Sequence, residues 1–307
     1  MEEQQYLNLI RTVLETGELE EGRNGATKSV FGHMMRFSLK DGKIPLLTTK
    51  QVAWKTCFRE LMWFIRGKTD NKELQRQNVH IWDANATREF LDSRGLAKYP
   101  EGILGPVYGY QWRHFGAPYV YNEADIPYYG TPRELGQRVE TPANWAGIDQ
   151  LQNIIDVLRD PDQRTSRRLI MTAWNPVQIE QMALPPCHVL SQFRVRGENR
   201  LSCALYQRSG DIGLGVPFNI ASYSFLTHLL ANHCGLVADE FVYFLGDAHI
   251  YESHTDALAQ QVERTPFDFP RIKIKEVKSD IGDYDLADIE FDEPYLHHPK
   301  LEMPLVA

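Results

Sequence analysis

The residue best suited to chemistry is Cys187, in the segment LPPCH over residues 184–188. A thiol is an effective nucleophile only as the thiolate, so it needs a nearby cation, base or helix N-terminus to lower a pKa of about 8.5. The two prolines predict a stiff turn, and His188 would point to the opposite strand face from its neighbour, which makes it a poor base. A small buried residue in a tight loop is the alternative interpretation. Apolar patterns surround the other three cysteines and predict core positions for them: Cys57, Cys203 and Cys234.

Several arginines could bind an anion. Arg208 and Ser209 stand in QRSGD, where we expect a strand to break into a glycine-rich loop, and guanidinium with loop N–H groups binds phosphate well. Arg167 and Arg168 open a predicted strand, and Arg23 lies in the loop GRNG. An ordinary turn or a solvated strand end is the alternative at each place. One nucleophile with several arginines favours an anionic small molecule as ligand.

Four further polar residues are candidates for a site. Asn219 opens a long apolar segment, where it is either a helix-capping residue or an amide that pairs with the edge of a planar heterocycle. Glu60 lies within QVAWKTCFRELMWFIR and is costly to bury unless it serves a polar site; the alternative is that it points outward beside Arg59. His249 and His254 lack the spacing and carboxylate partner of a zinc motif, so no metal is predicted.

The pattern of apolar residues predicts one α+β domain over residues 1–307, with a large mixed β-sheet flanked by helices. Its helices are expected at residues 2–16, 51–66, 151–158 and 217–234, and its strands at 35–39, 168–174, 188–196, 200–207 and 241–245. His249 and Tyr251 are expected to follow a strand and start a helix. The segment at about 117–147, rich in Pro, Gly and Tyr, is predicted to be a surface insertion.

Composition limits the classes of function. With 307 residues, 43% hydrophobic residues and a net charge of −8, the chain is predicted to be globular, with no apolar run long enough to span a membrane. Eight acidic residues and one lysine fall within residues 276–293, so the rest is nearly neutral, and binding to DNA or an anionic membrane is not expected. The first residues, MEEQQY, lack the features of a secretion signal, and the cysteines are widely spaced. We therefore expect a cytoplasmic location, with the nucleus as the alternative.

Six segments found together in this chain carry a family resemblance: LPPCH, QRSGDIGLGVPFNIASYS, GDAHIY, IWDAN, LGPVYGYQWRHFG and RELMWFIRG. The set resembles the thymidylate synthase family over nearly the whole chain apart from the insertion. Because IWDAN continues into TREFLDSRG, eukaryotic or viral members are more similar than bacterial ones. The resemblance implies reductive methylation of dUMP to dTMP, with 5,10-methylenetetrahydrofolate as co-substrate and dihydrofolate as product. It also implies a homodimer formed by packing of one sheet on another.

The resemblance assigns a role to each matching residue. Cys187 would attack C6 of uracil, Arg208 would help to hold it as thiolate, and Arg167 and Arg168 would reach the partner's phosphate site. The catalytic set would be Cys187, Glu60, Tyr108, Arg208, Asn219 and Asp211. The dUMP-binding set would be Arg23, Arg167, Arg168, Gln207, Arg208, Ser209, Gly210, Asp211, Asn219, His249 and Tyr251. The folate-binding set would be Ile81, Trp82, Asp211, Leu214, Gly215, Phe218 and Val306.

The chain departs from the family pattern at three places. Bacterial relatives carry histidine where Ala53 stands, some relatives carry cysteine at Gly210, and the tail ends in Val306-Ala307 where alanine is usual in the penultimate position.

Three alternatives stay open. A deoxycytidylate hydroxymethylase would carry Asp at position 219. An inactive relative or an RNA-binding regulator would not need the intact set Cys187, Arg208, Asp211 and Asn219. A cysteine hydrolase would need a histidine paired with Cys187 and a residue to orient it.

Overall fold

A six-stranded mixed sheet lies at the centre of the fold in the computed structural model, which describes residues 2–22, 25–119, 121 and 146–306. The strand order is β1-β2-β6-β5-β4-β3; β5 and β6 are parallel, and the other neighbours are antiparallel. The strands are β1 Glu18–Gly22, β2 Gly25–Ser38, β3 Ile170–Thr172, β4 His188–Arg196, β5 Arg200–Asp211 and β6 Val237–Tyr251. A separate two-stranded sheet pairs β7 Ile272–Ile274 with β8 Ile289–Phe291. The predicted mixed sheet is therefore confirmed.

Helices cover one face of the sheet. They are α1 Gln4–Thr16, α2 Trp54–Ile65, α3 Asn71–Gln75, α4 Arg88–Ser93, α5 Tyr108–His114, α6 Gln150–Arg159, α7 Gly215–His233 and α8 Thr255–Gln261. α7 packs on β5 and β6 and is buried on nearly every side, which its apolar sequence predicts. α2 packs against α7 and α5 and is buried over most of its length. Among the described helices, none is long and apolar enough to cross a membrane.

The two faces of the sheet differ sharply. In the register of the strands, one cross-strand row is wholly buried beneath the helices: Met35, Tyr243, Leu205, Ser191 and Met171. The next row points to the other face and stays exposed, at 47%, 43%, 40% and 36% of each residue's surface: Met34, Phe244, Tyr206 and Leu190. An apolar row across four strands is unusual on the surface of a soluble monomer.

Several predicted strand bounds are wrong: the strand expected at 35–39 begins at Gly25, and the one expected at 168–174 spans only Ile170–Thr172. β5 and β6 also run beyond their predicted ends, because the ladder between them continues past the apolar residues. Ser209 pairs with Asp247, and Asp211 pairs with His249. The segment QRSGD is therefore strand rather than loop, and the glycine-rich turn starts only after Asp211. His249 and Tyr251 lie within β6 rather than at the start of a helix. Polar and glycine residues favour turns locally, but backbone pairing between the two long strands outweighs that preference.

The acidic side chains of segment 276–293 bond mainly to groups within the same segment. Asp280 accepts the N–H of Gly282, and Asp285 and Asp288 form a reciprocal capping box. Lys278 lies 2.7 Å from Asp288. The predicted insertion at about 117–147 falls mostly outside the described residues.

Candidate active site

Cys187 lies immediately before β4 and beside the end of β5, so the sheet fixes its position. Its backbone N–H donates to the Tyr108 hydroxyl at 2.7 Å, and its carbonyl accepts the N–H of Arg208 at 2.9 Å. Tyr108 is the first residue of α5 and is buried. The backbone of Cys187 is therefore held by α5 and β5, which fixes the thiol near the carboxyl end of β5.

The guanidinium of Arg208 lies beside the thiol. It donates to the carbonyls of Pro185 and Pro186 at 3.1 and 2.9 Å, and one terminal nitrogen is 3.8 Å from Sγ of Cys187. Its centre lies 5.7 Å from the ring of Trp174, within cation–π range. The prolines therefore provide carbonyls that aim the guanidinium as well as stiffening the turn.

Two opposing effects act on the thiol. Burial raises the pKa of Cys187, whereas the positive charge of Arg208 and hydrogen bonding with Tyr108 lower it, and the net pKa is above its ordinary value. Arg208 thus acts in the direction that the resemblance implies, and its help in holding a thiolate stays a prediction. Burial disfavours the thiolate more strongly than the guanidinium favours it.

Asn219 is buried in the first turns of α7 and bonds to His188. Nδ2 of the amide lies 2.7 Å from Nε2 of the imidazole, whose Nδ1 is 3.4 Å from the hydroxyl of Tyr223. Burial lowers the pKa of His188 to about 3, so the ring is neutral and accepts from the amide at Nε2. This bond fixes which way the amide faces. It also occupies His188, which argues against pairing with Cys187 in a hydrolase.

Glu60 is buried within α2, which rules out the outward orientation beside Arg59. Its carboxylate accepts the indole N–H of Trp82 at 2.7 Å. Burial raises the pKa of Glu60 to about 7, against a smaller lowering by the Trp82 hydrogen bond. A carboxyl with this pKa can both give and take a proton near neutral pH.

Asp211 is the last residue of β5 and caps the turn that follows. Its two carboxylate oxygens accept the N–H groups of Gly213 and Leu214 at 2.8 and 3.3 Å. Lys50 donates to the carbonyl of Gly213, and its burial lowers its pKa to about 8 despite the opposing charge of Asp211. Lys50 is a site residue that sequence reasoning missed, since nothing in TTKQ distinguishes a buried lysine from a solvated one.

The other predicted nucleotide contacts lie along β5 and β6. Gln207 donates to the carbonyl of Ser209 and accepts from the hydroxyl of Tyr243 at 2.7 Å. His249 bonds to Asp247 at 2.7 Å through Nδ1, and its ring packs edge-on against Tyr251. These side chains are thus held on adjacent strands at the same end of the sheet as Cys187.

The residues predicted to bind folate differ in how deeply they are buried. Trp82 is buried, whereas the others are half-buried: Ile81, Asp211, Leu214, Gly215, Phe218 and Val306. Phe218 accepts a hydrogen bond from Sγ of Cys57 through its carbonyl at 3.4 Å.

Of the arginines predicted to bind the dUMP phosphate, two lie away from Cys187 within this chain, and a third cannot be placed. Arg167 and Arg168 are exposed before β3, and Arg23 lies outside the described residues.

Comparison with known proteins decides the family. A model of the family described as thymidylate synthase matches residues 4–307. The chain belongs to the thymidylate synthase family. It is 49% identical over 306 residues to a bifunctional dihydrofolate reductase-thymidylate synthase of Leishmania major, covering 99% of this chain and 55% of that protein. It is 48% identical over 305 residues to a thymidylate synthase of Equine herpesvirus 2 (strain 86/87), covering 99% of this chain and 97% of that protein.

The chain thus spans about half the length of the bifunctional relatives that it matches and nearly all of the viral one. The likeness to viral and eukaryotic members agrees with the pattern at IWDAN. Within the described residues, no group of three or more His, Cys, Asp or Glu side chains could hold a metal ion.

Two departures from the thymidylate synthase pattern can now be placed. Ala53 is the residue before α2 and makes no side-chain cap. A Cβ at Gly210 would lie 2.7 Å from Leu245 and 3.0 Å from Val216, so a cysteine there would require both side chains to shift. Gly210 therefore belongs to the packing of the thymidylate synthase site, with its side-chain position filled by neighbours.

Proposed function

We propose that this chain converts dUMP to dTMP by reductive methylation with 5,10-methylenetetrahydrofolate, yielding dihydrofolate. The observation that carries the proposal is the placement of the Cys187 thiol 3.8 Å from the Arg208 guanidinium, next to His188, to which Asn219 of α7 bonds. A nucleophile, an anion-binding group and a fixed amide are what a nucleotide base needs for covalent activation.

Activation begins with the thiol. C5 of uracil is a poor nucleophile until a group adds to C6, and the sulfur of Cys187 forms that bond. Arg208 binds the phosphate, and its charge lowers the pKa of a thiol that burial otherwise keeps protonated. The C5 carbon then bonds to the one-carbon unit as the bond from that unit to N10 of the folate breaks. Loss of the C5 proton breaks the remaining bond to N5 and leaves a methylene group on C5. Tetrahydrofolate gives a hydride to this methylene group as the sulfur of Cys187 leaves C6, which yields dTMP and dihydrofolate.

Proton movement falls to Glu60 and Tyr108. The carboxyl of Glu60, with a pKa of about 7, exchanges protons with the base through ordered water. The hydroxyl of Tyr108 accepts the backbone N–H of Cys187. Its ring centre lies 6.2 Å from that of Trp82, whose indole N–H donates to Glu60. Tyr108 assists removal of the C5 proton.

Base recognition depends on Asn219. Because Nδ2 donates to His188 at 2.7 Å, the amide has a fixed orientation when it meets the base edge. The hydroxymethylase alternative calls for Asp at this position, so the residue present favours uracil over cytosine. His249 and Tyr251 bind the deoxyribose hydroxyl, and Asp211 with Leu214, Phe218 and Trp82 contacts the pterin.

We propose further that the active species is a homodimer joined by the exposed sheet face. A two-fold axis through the row Met34, Phe244, Tyr206 and Leu190 would bury it against its own copy. The N–H of Phe193 donates to the carbonyl of Leu169, so this end of β4 lies six residues, or about 20 Å, from Cys187. Arg167 and Arg168 lie on the far side of the Phe193–Leu169 pair from Cys187. Their side chains are too short to cover the distance to Cys187 of the same chain. This separation supports the proposal that they complete the phosphate site of the partner subunit.

The free state of all four cysteines supports the proposed cytoplasmic location.

A spectroscopic assay for dihydrofolate, with dUMP and methylenetetrahydrofolate together, tests the reaction. We expect product only when both are present. With dCMP in place of dUMP, formation of a hydroxymethylated nucleotide and tetrahydrofolate, without dihydrofolate, would favour the hydroxymethylase.

Complementation tests the shared site. Cys187→Ser and the double variant Arg167→Glu/Arg168→Glu should each be inactive. After subunit exchange, a heterodimer has one site with Cys187 and the partner's two arginines, so about one quarter of wild-type activity should return. A mixture of Cys187→Ser and Cys187→Ala chains is the control and should stay inactive. Proven exchange without recovery contradicts arginine donation.

A further inference from the structure

His254 is fully buried between the turn after β5 and the segment near residue 304. Its Nε2 lies 2.7 Å from the carbonyl oxygen of Pro304, and its Nδ1 lies 3.5 Å from Oδ1 of Asp211. A Cβ at Gly213 would come within 2.5 Å of that Nδ1 and 3.2 Å of Sδ of Met303. The turn, the imidazole and residues 303–304 therefore pack directly on one another.

The two neighbours of the ring decide its protonation. The carbonyl of Pro304 only accepts, so Nε2 must carry a hydrogen to bond to it. The carboxylate of Asp211 also only accepts, and its oxygens already receive the N–H groups of Gly213 and Leu214. A neutral imidazole has a single N–H and leaves one acceptor facing a lone pair. Only the imidazolium donates to Pro304 and also presents a positive charge, rather than a lone pair, to the carboxylate of Asp211.

We propose that His254 is a positioning residue that, as imidazolium, ties residues 299–306 (the 299–306 strip) to Asp211 and so holds the proposed folate-facing turn in place. Near its start, the strip is also held by Arg264, whose guanidinium donates to the carbonyl of Pro299 at 2.8 Å. His254 contacts its far half at the carbonyl of Pro304, and Met303 packs there against the core. The folate part of this inference rests on the proposed function; the tie itself does not.

The surroundings of His254 set the pH range of the tie. Asp211 faces it from β5, Lys50 from the loop before α2, and the ring of Tyr251 from β6 at 5.6 Å. Burial lowers the pKa of His254, but hydrogen bonding with Asp211 and Pro304 and the charge of Asp211 raise it, so the net pKa exceeds 6.5 despite Lys50. The acidic residues on its own turn and on α8 are exposed: Glu252 and Asp256. The tie is therefore complete below pH 6.5 and is lost as the pH rises through the raised pKa.

Hydrogen exchange of the whole chain without substrates measures the tie. Peptides that contain residues 303–306 are compared at pH 6 and pH 9.5 after correction for intrinsic exchange rates. In the wild type we expect about tenfold greater protection at pH 6, the effect of one charge-assisted hydrogen bond. Equal protection at the two pH values overturns the proposal without any variant.

Two amide substitutions separate the contacts of the ring. Asn places its nitrogen near the position of Nδ1 and Gln near that of Nε2. His254→Asn should lose protection of the strip at both pH values, whereas His254→Gln should keep part of it with no pH dependence. His233→Gln, at the far end of α7, is the matched control and should behave as wild type. Wild-type protection in His254→Asn overturns the proposal.

Kinetics then test the consequence for the site. Both substitutions at His254 should raise the KM for methylenetetrahydrofolate about tenfold and leave the KM for dUMP within about twofold. A fall in kcat with both KM values unchanged contradicts a positioning role. Failure of the proposed reaction would leave the exchange result standing, so the two failures are distinguishable.

Discussion

Replacing Glu60 by glutamine removes a buried carboxyl whose pKa is raised from 4.5 to about 7. The folded-state pKa is above the unfolded one, so the contribution to stability is fully present below pH 4.5 and is lost as the pH rises through 7. Ionised Glu60 therefore destabilises the fold in alkaline solution. Glutamine keeps an oxygen that can accept the indole N–H of Trp82, but it never ionises.

The size of the effect follows from the shift. A difference of about 2.5 pKa units corresponds to about 3 kcal/mol once ionisation is complete. Part of this loss already occurs below pH 5, so between pH 5 and pH 8.5 the expected change is about 2.5 kcal/mol. Over that interval, Glu60→Gln should gain this much unfolding free energy relative to wild type, while its kcat falls by about 10²–10⁴-fold through loss of proton transfer.

Urea unfolding of both proteins at pH 5, 7 and 8.5 measures the difference. Glu89→Gln, at an exposed position on α4, is the matched control and should follow the wild type within about 0.5 kcal/mol. A difference between Glu60→Gln and wild type that stays constant over this range would refute the assignment of a near-neutral pKa to Glu60. Wild-type kcat in Glu60→Gln would separately refute its role in proton transfer.

Three other substitutions test single contacts. Asn219→Asp should reduce the preference for dUMP over dCMP at least about tenfold, because a protonated acid can pair with cytosine; competition kinetics with an unchanged preference would falsify edge recognition. Tyr108→Phe removes the acceptor of the Cys187 N–H and should lower kcat about tenfold with little change in the KM for dUMP, and steady-state kinetics equal to wild type contradict this. Cys203→Ser buries a hydroxyl in the core and should lower the unfolding free energy by about 1–3 kcal/mol in denaturant titrations while kcat is retained; a large fall in kcat would assign Cys203 to the site instead.

Local pattern predicted much of this fold because apolar periodicity marks the elements that pack on one another. The segment 188–196 is a strand with the predicted bounds, and the apolar run at 217–234 is the buried helix α7. The ends of β5 and β6 were missed because Asp211 and His249 are polar and become strand only by pairing with each other. Such pairing joins distant segments and leaves no local signal.

In the candidate site too, residues in local sequence motifs were predicted, and contacts between distant segments were not. Cys187, Arg208 and Asn219 stand in long motifs. The structure places Arg208 beside Cys187, and Asn219 of α7 bonds to His188, the next residue. Glu60 was left between two orientations because α2 is apolar on most sides, and only the contact with Trp82 decides between them. His254 was discarded as a metal ligand, and its burial against Pro304 could not be foreseen, since it depends on a segment fifty residues away.

The most direct test of the account is the identity of the nucleophile. Wild-type protein is incubated with 5-fluoro-dUMP and methylenetetrahydrofolate, digested, and analysed by mass spectrometry. Fluorine at C5 blocks the proton loss that precedes release, so the nucleotide and folate should stay attached to the peptide that contains Cys187. The Cys187→Ser chain should show no adduct, because a hydroxyl is far less available than a thiol for this attack. An adduct on Cys57, Cys203 or Cys234, or one that persists in Cys187→Ser, would contradict the central claim.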